Sequence, residues 1–239
     1  MNGAQNGSLH LIPVTLGGED VRAVLPRAAC EVLAGLDYFI VENEKSARQF
    51  LKQLPHPRSL RDLKLERFDK DGTSGRAALL LQPLLSGRSA AVLSEAGCPA
   101  IADPGAQLVA AAHRANIPVV PHVGPSALLL ALMGSGFNGQ RFAFHGYLPV
   151  AAAECRAEIQ KLERESCERD MTQLFIETPY RNDALLKSLL DCCQAKTRLC
   201  VAADLTLSTQ TLNVATVGDL RARTPEIGRR PAVFLLYAG

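Results

Sequence analysis

The run A-A-V-L-S-E-A-G-C-P-A-I-A-D-P-G, residues 90–105, decides how this chain is read. Residues 90–93 are apolar, too short a stretch for a helix and suited to a buried strand. The stretch stops abruptly at Ser94, Glu95 and Gly97, so a strand is predicted to end in a tight polar loop. In α/β proteins such loops are where ligands bind. Pro99, Pro104 and Gly105 stiffen a second turn, and residues 106–115 follow with helix formers, Asp103 standing as a candidate N-cap. By spacing alone the segment serves equally well as an ordinary Gly/Pro-rich connection between strand and helix.

The first half of the chain alternates strands and helices around this run. Strands are predicted at 9–14, 37–41 and 117–121, and helices at 46–54, 75–85 and 127–133. A helical segment over 19–25 is interrupted by Pro26. Residues 56–71 mix Arg58, Arg61, Lys64, Arg67 and Lys70 with acids and read as an irregular, solvated connection, with F-D-K-D-G (68–72) as a strand end and turn. Gly124-Pro125-Ser126 turns the strand at 117–121 into a buried helix, where Ser126 caps the helix, meets polar atoms of a ligand, or does both.

The second half has more consecutive strands. Residues 142–148 are a strand or an extended link, 151–169 a charged helix, and 173–177, 199–203, 213–217 and 232–237 strands. Helices are predicted at 182–193 and 218–223, with a hairpin or loop at 206–211 and no internal repeat. The expected fold class is therefore α/β with two subdomains, a parallel sheet first and a mixed sheet second, divided as 1–116 and 117–239.

Composition bounds the function classes. At 239 residues and 47% hydrophobic, the chain has ample material for a buried core. Lys+Arg 26 against Asp+Glu 24 gives +2, without the global cationic excess that holds many proteins on nucleic acid, although a local basic patch remains open. Seven cysteines, with Cys192 and Cys193 adjacent, form no C-x-x-C pair, so neither a metal site nor a disulfide framework is expected. The start M-N-G-A-Q-N-G-S lacks a basic region ahead of an apolar core and is expected to be a loose tail rather than a secretory leader. No apolar run approaches the ~20 residues that span a bilayer, so no membrane association is expected, and the cysteines read as reduced thiols of a cytoplasmic protein.

The string S-E-A-G-C-P-A-I-A-D-P-G (94–105) resembles S-D-A-G-T-P-x-I-S-D-P-G of the ribosomal RNA small-subunit methyltransferase I group. That group lies within the tetrapyrrole methylase superfamily, the class III S-adenosylmethionine-dependent methyltransferases. Four further blocks follow in the family's order: V-G-P-S-A (123–127), F-H-G-Y-L-P (144–149), F-I-E-T-P-Y-R (175–181, for F-Y-E-S-P-H-R) and A-A-D-L-T (202–206, for A-R-E-L-T). Glu95 replaces the family's usual Asp and keeps the charge; Cys98 replaces Thr and loses a hydroxyl. In E-N-E-K-S (42–46) Glu42 matches the family's E-D-T-R-x, while Asn43 and Lys45 do not; the same residues also suit the charged start of a helix.

The resemblance implies S-adenosylmethionine folded into a cleft between two α/β subdomains. It assigns cofactor contacts to Ser94, Glu95, Ala96, Gly97, Ile101 and Asp103 from the first, and to Ser126, Ala127, Leu205, Pro231 and Ala232 from the second, with no metal. The turns beginning at Ser94 and holding Ser126 are expected to face each other across a gap sized for the cofactor. A sulfonium nucleoside needs an apolar slot, main-chain hydrogen bonds and a few acidic or hydroxyl groups, which this set offers. Transfer to a hydroxyl also needs a base. Glu177 is the first candidate, with Arg181 to grip phosphate or orient it, and a structural salt bridge between them fits equally; Asp103 and Asp204 are lesser candidates.

By resemblance the acceptor is a cytidine 2'-hydroxyl of small-subunit ribosomal RNA, and the protein is a homodimer. The family continues into a C-terminal extension associated with RNA, whereas this chain stops after its last predicted strand, as in a shorter branch of the group. An RNA enzyme of this form is expected to rely on a partner, an assembled ribosomal particle or a paired surface. The alternatives are methylation of a tetrapyrrole or corrinoid precursor, and binding of S-adenosylmethionine without transfer.

Overall fold

The structure, a computed structural model, describes residues 6–68 and 73–239 and divides the chain into two units, Met1–Ser126 and Ala127–Gly239. Most of the turn expected at 68–72 and of the N-terminal tail lies outside the described residues.

The first unit contains β1 (Leu9–Leu11), α1 (Arg27–Gly35), β2 (Tyr38–Val41), α2 (Glu44–Lys52), β3 (Lys64–Arg67), α3 (Ser74–Leu85), β4 (Ala90–Leu93), α4 (Gly105–Arg114) and β5 (Val119–Pro121). Its sheet has the order β3-β2-β4-β1-β5, and every pairing is parallel. A parallel sheet is covered on both faces, which favours continuously apolar strands at its centre. Both Y-F-I-V of β2 and A-A-V-L of β4 are buried at all four positions. Phe39 and Leu93 face a cluster with Leu33 and Phe50, whereas Tyr38, Ile40 and Val92 face one with Leu80 and Leu108.

Three expectations are corrected here. The connection at 56–71 contains β3, K-L-E-R, whose charged residues hide the strand pattern; at the sheet edge it pairs with β2 alone and tolerates them. Pro26 opens a helix rather than breaking one: residues 19–25 hold only a 3-10 turn (Val21–Ala23), and α1 starts directly after Pro26. The boundary expected at 116/117 lies at 126/127, because Val119–Pro121 pairs with β1 and so belongs to the first sheet.

The second unit contains α5 (Ala127–Ser135), β6 (Phe142–Tyr147), α6 (Ala152–Arg169), β7 (Thr172–Ile176), α7 (Asn182–Cys192), β8 (Arg198–Ala203), β9 (Thr211–Thr216), α8 (Val217–Ala222) and β10 (Ala232–Tyr237). The strand order is β6-β7-β10-β8-β9; β6 and β7 are parallel and the other pairings antiparallel, the mixed sheet expected. Alternate residues of β10, Phe234 and Leu236, join Phe175, Val201, Leu162 and Leu189 in one core cluster, while α5 packs on β8, β9 and β10. Among the described residues no helix is long and apolar enough to cross a membrane, and no group of three His, Cys, Asp or Glu side chains is placed to hold a metal ion.

Phe175 and Phe234 are directly paired in register and their rings stack 6.1 Å apart in this core. Phe175→Ala is expected to destabilise the fold by about 3–5 kcal/mol in urea unfolding. The same change at Phe142, on the exposed edge strand, should cost far less; equal losses would contradict this placement of the core.

Candidate functional site

Parallel strands send all their carboxyl ends to one edge, and ligands bind there at the point where successive connections leave in opposite directions. In the first sheet β1 connects toward β2 and β4 toward β5, crossing each other's positions, so the reversal lies between β1 and β4. The two loops at that point are residues 12–20 and 94–104. They are joined by an isolated bridge between Val14 and Gly97, whose carbonyl accepts from the Val14 N–H at 2.9 Å.

The loop after β4 is held by its own carboxylate. Asp103 accepts from the Ala100 N–H at 2.9 and 3.0 Å and from the Gly105 N–H at 2.7 Å. The N-cap expected at Asp103 falls instead on Pro104, and Asp103 closes the loop ahead of the helix. Two residues inside this clasp, Ala100 (φ +67°) and Ala102 (φ +61°), adopt the left-handed conformation, which side chains other than glycine rarely take. Gly105 is required by space: a Cβ there would lie 2.8 Å from Asp103 Oδ1 and 3.0 Å from the Ala100 nitrogen. Upstream, the buried Ser94 hydroxyl donates to the Gly97 carbonyl at 3.2 Å, tightening the first turn.

The V-G-P-S segment lies against this loop. Cys98 Sγ is 3.4 Å from the Pro125 carbonyl, and a Cβ on Gly97 would meet that carbonyl at 3.4 Å. The turn beginning at Ser94 and the turn holding Ser126 therefore abut here, and the gap expected between them is closed at this contact. An open hollow of about 190 Å³ lies on the β1 side, lined by Thr15, Gly18, Ser46, Gln53, Ser94 and Glu95. That is below the ~300–1,000 Å³ of complete small-molecule pockets and accommodates part of a ligand. Gln53 Oε1 is buried without a hydrogen-bond partner and presents an acceptor there.

The edge is acidic. Burial pushes the Glu42 carboxyl above the ordinary carboxylate range, an effect opposed by the Glu95 N–H (3.3 Å) and reinforced by the charges of Glu95 and Asp103. Asp103 is raised as well, by burial against the pull of its two N–H donors. Carboxylates whose ionised form burial disfavours are stabilised in that form by a cation placed among them. Glu95, Ala96 and Ile101 are exposed and free to meet a ligand.

In the second unit the remaining blocks gather at one end of the mixed sheet. Ile176 is opposite Val233 and Ala203 opposite Ala232, so the segments after β7 and β8 and before β10 share that end. Tyr147 of β6 joins them across from Ile176, through a register shift at Gly146, whose φ is +66°. The Asp204 N–H donates to the Pro231 carbonyl at 3.0 Å, bringing Leu205, Pro231 and Ala232 together. Asp204 (φ +53°) and Thr206 (φ +74°) repeat the left-handed backbone seen after β4. Ala127 opens α5 in this unit, next in the chain to the buried Ser126 that ends the first.

Glu177 follows β7 with its side chain 1% exposed, and Arg181 lies 3.0 Å from its Oε2. Oε1 accepts the Thr178 N–H at 2.7 Å, whereas no N–H of Arg181 is directed at Oε2. The pair is thus coulombic, and Oε2 keeps a lone pair for another donor. Sequence reasoning missed Asn182, fully buried, whose Nδ2 donates to the Gly228 and Arg230 carbonyls at 3.1 and 2.8 Å. Its place directly after the F-I-E-T-P-Y-R block is the only signal the sequence offers. Two larger hollows, about 610 and 760 Å³, flank the segment 223–228 and contain neither Glu177, Arg181 nor Asp204.

The family described as Tetrapyrrole (Corrin/Porphyrin) Methylases matches residues 9–221. A protein of Vibrio cholerae named Ribosomal RNA small subunit methyltransferase I is 31% identical over 212 residues, 89% of this chain and 69% of its own. Proteins of the same name from Xylella fastidiosa and Escherichia coli O157:H7 are 32% and 29% identical, covering 91% and 98% of this chain and 75% and 78% of theirs. Among solved structures, the methyltransferase CobJ superposes with a TM-score of 0.63 at 19% identity, covering 97% of this chain and 94% of that one. A Thermus thermophilus uroporphyrin-III C-methyltransferase complexed with S-adenosyl homocysteine gives 0.58 at 16%, covering 97% of each; both likenesses bear on the fold alone.

Glu42 supplies a pH test of the acidic edge. Its folded value is raised, so between the ordinary carboxylate range and that value the folded chain holds a proton the unfolded chain has lost. Stability therefore falls as pH rises through this window. Glu42→Gln removes that loss, and its urea midpoint relative to the parent should rise across the window and then level off. A difference independent of pH would contradict the burial assigned to Glu42.

Proposed function

Because this chain belongs to the tetrapyrrole (corrin/porphyrin) methylase family, we propose that it transfers the methyl group of S-adenosylmethionine to a cytidine 2'-hydroxyl in small-subunit ribosomal RNA. The observation that carries the acceptor is the shared name of relatives whose matches run through both sets of loops. The residues present fit the cofactor. The acidic edge around Glu42, Glu95 and Asp103 suits its sulfonium and ammonium charges, and the Gln53 oxygen is a free acceptor. Ala96 is exposed and Ala100 half-buried beside them, small residues that let a ligand approach the main chain.

When bound, S-adenosylmethionine supplies a methyl carbon on a sulfonium whose thioether is already a good leaving group. The chain's own work is alignment and removal of one proton. Glu177 Oε2 takes the proton of the attacking hydroxyl: it is the carboxylate oxygen without a directed donor, while Thr178 holds the other. Arg181, one-third exposed, keeps Glu177 oriented and turns charge toward a backbone phosphate. Asp204 is committed to Thr209, whose hydroxyl donates to it at 2.9 Å, and to Arg230 at 3.6 Å, which favours Glu177 as the base.

The protein in this reading is a cytoplasmic homodimer. Support for pairing comes from α5, apolar on every side, which leaves Leu129 and Met133 exposed one turn apart.

Mass spectrometry of small-subunit ribosomal RNA from cells with and without this protein should differ by one ribose-methylated cytidine; identical spectra would overturn the acceptor. Glu177→Gln should lower kcat about 10²–10⁴-fold while S-adenosylhomocysteine binding, read by calorimetry, stays unchanged. Undiminished turnover would remove Glu177 from the chemistry.

A further inference from the structure

The loop beside Glu177 carries an aromatic and a cation that the methyl-transfer chemistry does not use. Tyr180 lies in the 3-10 turn Pro179–Arg181, one residue from Arg181, and is 78% exposed. The Arg229 guanidinium lies over its ring, 4.8 Å from the centroid. An exposed tyrosine alone needs no explanation. Here both members are held in place. Pro179 stiffens the turn at its first position. The buried Asn182 grips the carbonyls on either side of Arg229, those of Gly228 and Arg230, and the Gly228 N–H is 3.3 Å from Asp183. Gly228 takes φ +60°, so the chain reverses there and Arg229 projects outward between two fixed neighbours.

The charges divide in the same way. Arg181 is paired with Glu177 and Arg230 is near Asp204, whereas no ion pair among the described residues engages Arg229. The result is a largely exposed ring with an uncommitted guanidinium across it, set on the rim of the proposed acceptor site. Exposed aromatics with arginine bind unpaired bases by stacking, which tolerates any base because every base has a π face.

We infer that Tyr180 and Arg229 form a stacking platform for an unpaired nucleobase of the RNA, next to the nucleotide whose ribose is methylated. The inference rests on the proposed RNA acceptor and extends it: the substrate segment is single-stranded at this point, its base on Tyr180 and its phosphate near Arg229. Duplex RNA keeps its bases stacked internally and has none to give.

The absence of tryptophan from the chain makes this directly readable. Tyr180→Trp places a single indole on the platform, and its fluorescence should be quenched by a single-stranded oligoribonucleotide and not by the same strand in a duplex. With small-subunit ribosomal RNA, Tyr180→Ala should raise KM about tenfold with kcat little changed, Tyr180→Phe should restore the parent value, and Arg229→Ala should flatten the salt dependence of binding by about 0.7. Absence of quenching by single-stranded RNA, or quenching by a tetrapyrrole alone, overturns the platform. If the parent protein methylates ribosomal RNA while the indole stays unquenched, the platform fails and the acceptor stands. If RNA quenches the indole and no RNA is methylated, the platform stands and the acceptor fails.

Discussion

One carboxylate shapes the loop on which the rest depends. Asp103 gathers the N–H groups of Ala100 and Gly105 and so encloses two alanines in left-handed backbone. Such a conformation costs on the order of 1–3 kcal/mol per residue and persists only where the surroundings over-determine it. Here the determinants are the clasp, the bridge from Val14 to Gly97 and the packing of Gly105 where a side chain cannot enter. What the strain secures is a loop of small residues and accessible main chain, at the point where a parallel sheet reverses its connections. The raised carboxyls of Glu42 and Asp103 add a standing preference for positive charge at the same edge.

The second unit follows a related plan with different parts. Its strands are mixed in direction, yet the segments after β7 and β8 and before β10 come to one end, and left-handed residues recur at Asp204 and Thr206. Burial gives Glu177 its character: one oxygen is satisfied by the Thr178 main chain and the other lies beside Arg181 without a directed bond. Buried polar atoms are ordinarily hydrogen-bonded, so this oxygen is an exception among the buried groups of the unit.

Most elements were legible because their patterns are local. A-A-V-L and Y-F-I-V read as buried strands and are; the helix at 127–133 follows its Gly-Pro-Ser start. What the sequence hid depended on partners distant in the chain. K-L-E-R is a strand because β2 offers it an edge, and the strand at 119–121 belongs to the first sheet because β1 is its neighbour. Asp103 was visible as a residue that ends a loop, but its acceptance from Ala100 depends on a left-handed turn that no alanine announces. The family's blocks located Glu177 and Arg181. They were silent on Asn182 and on the stacking of Arg229 over Tyr180, which depends on contact between segments about fifty residues apart.

The central claim is that the loop after β4, held by Asp103, receives the methyl donor. Amide hydrogen exchange of the full chain with and without saturating S-adenosylhomocysteine tests it most directly. Slowed exchange across residues 94–105 is the predicted result. Unchanged exchange in 94–105, with protection confined to the hollows flanking 223–228, would contradict it.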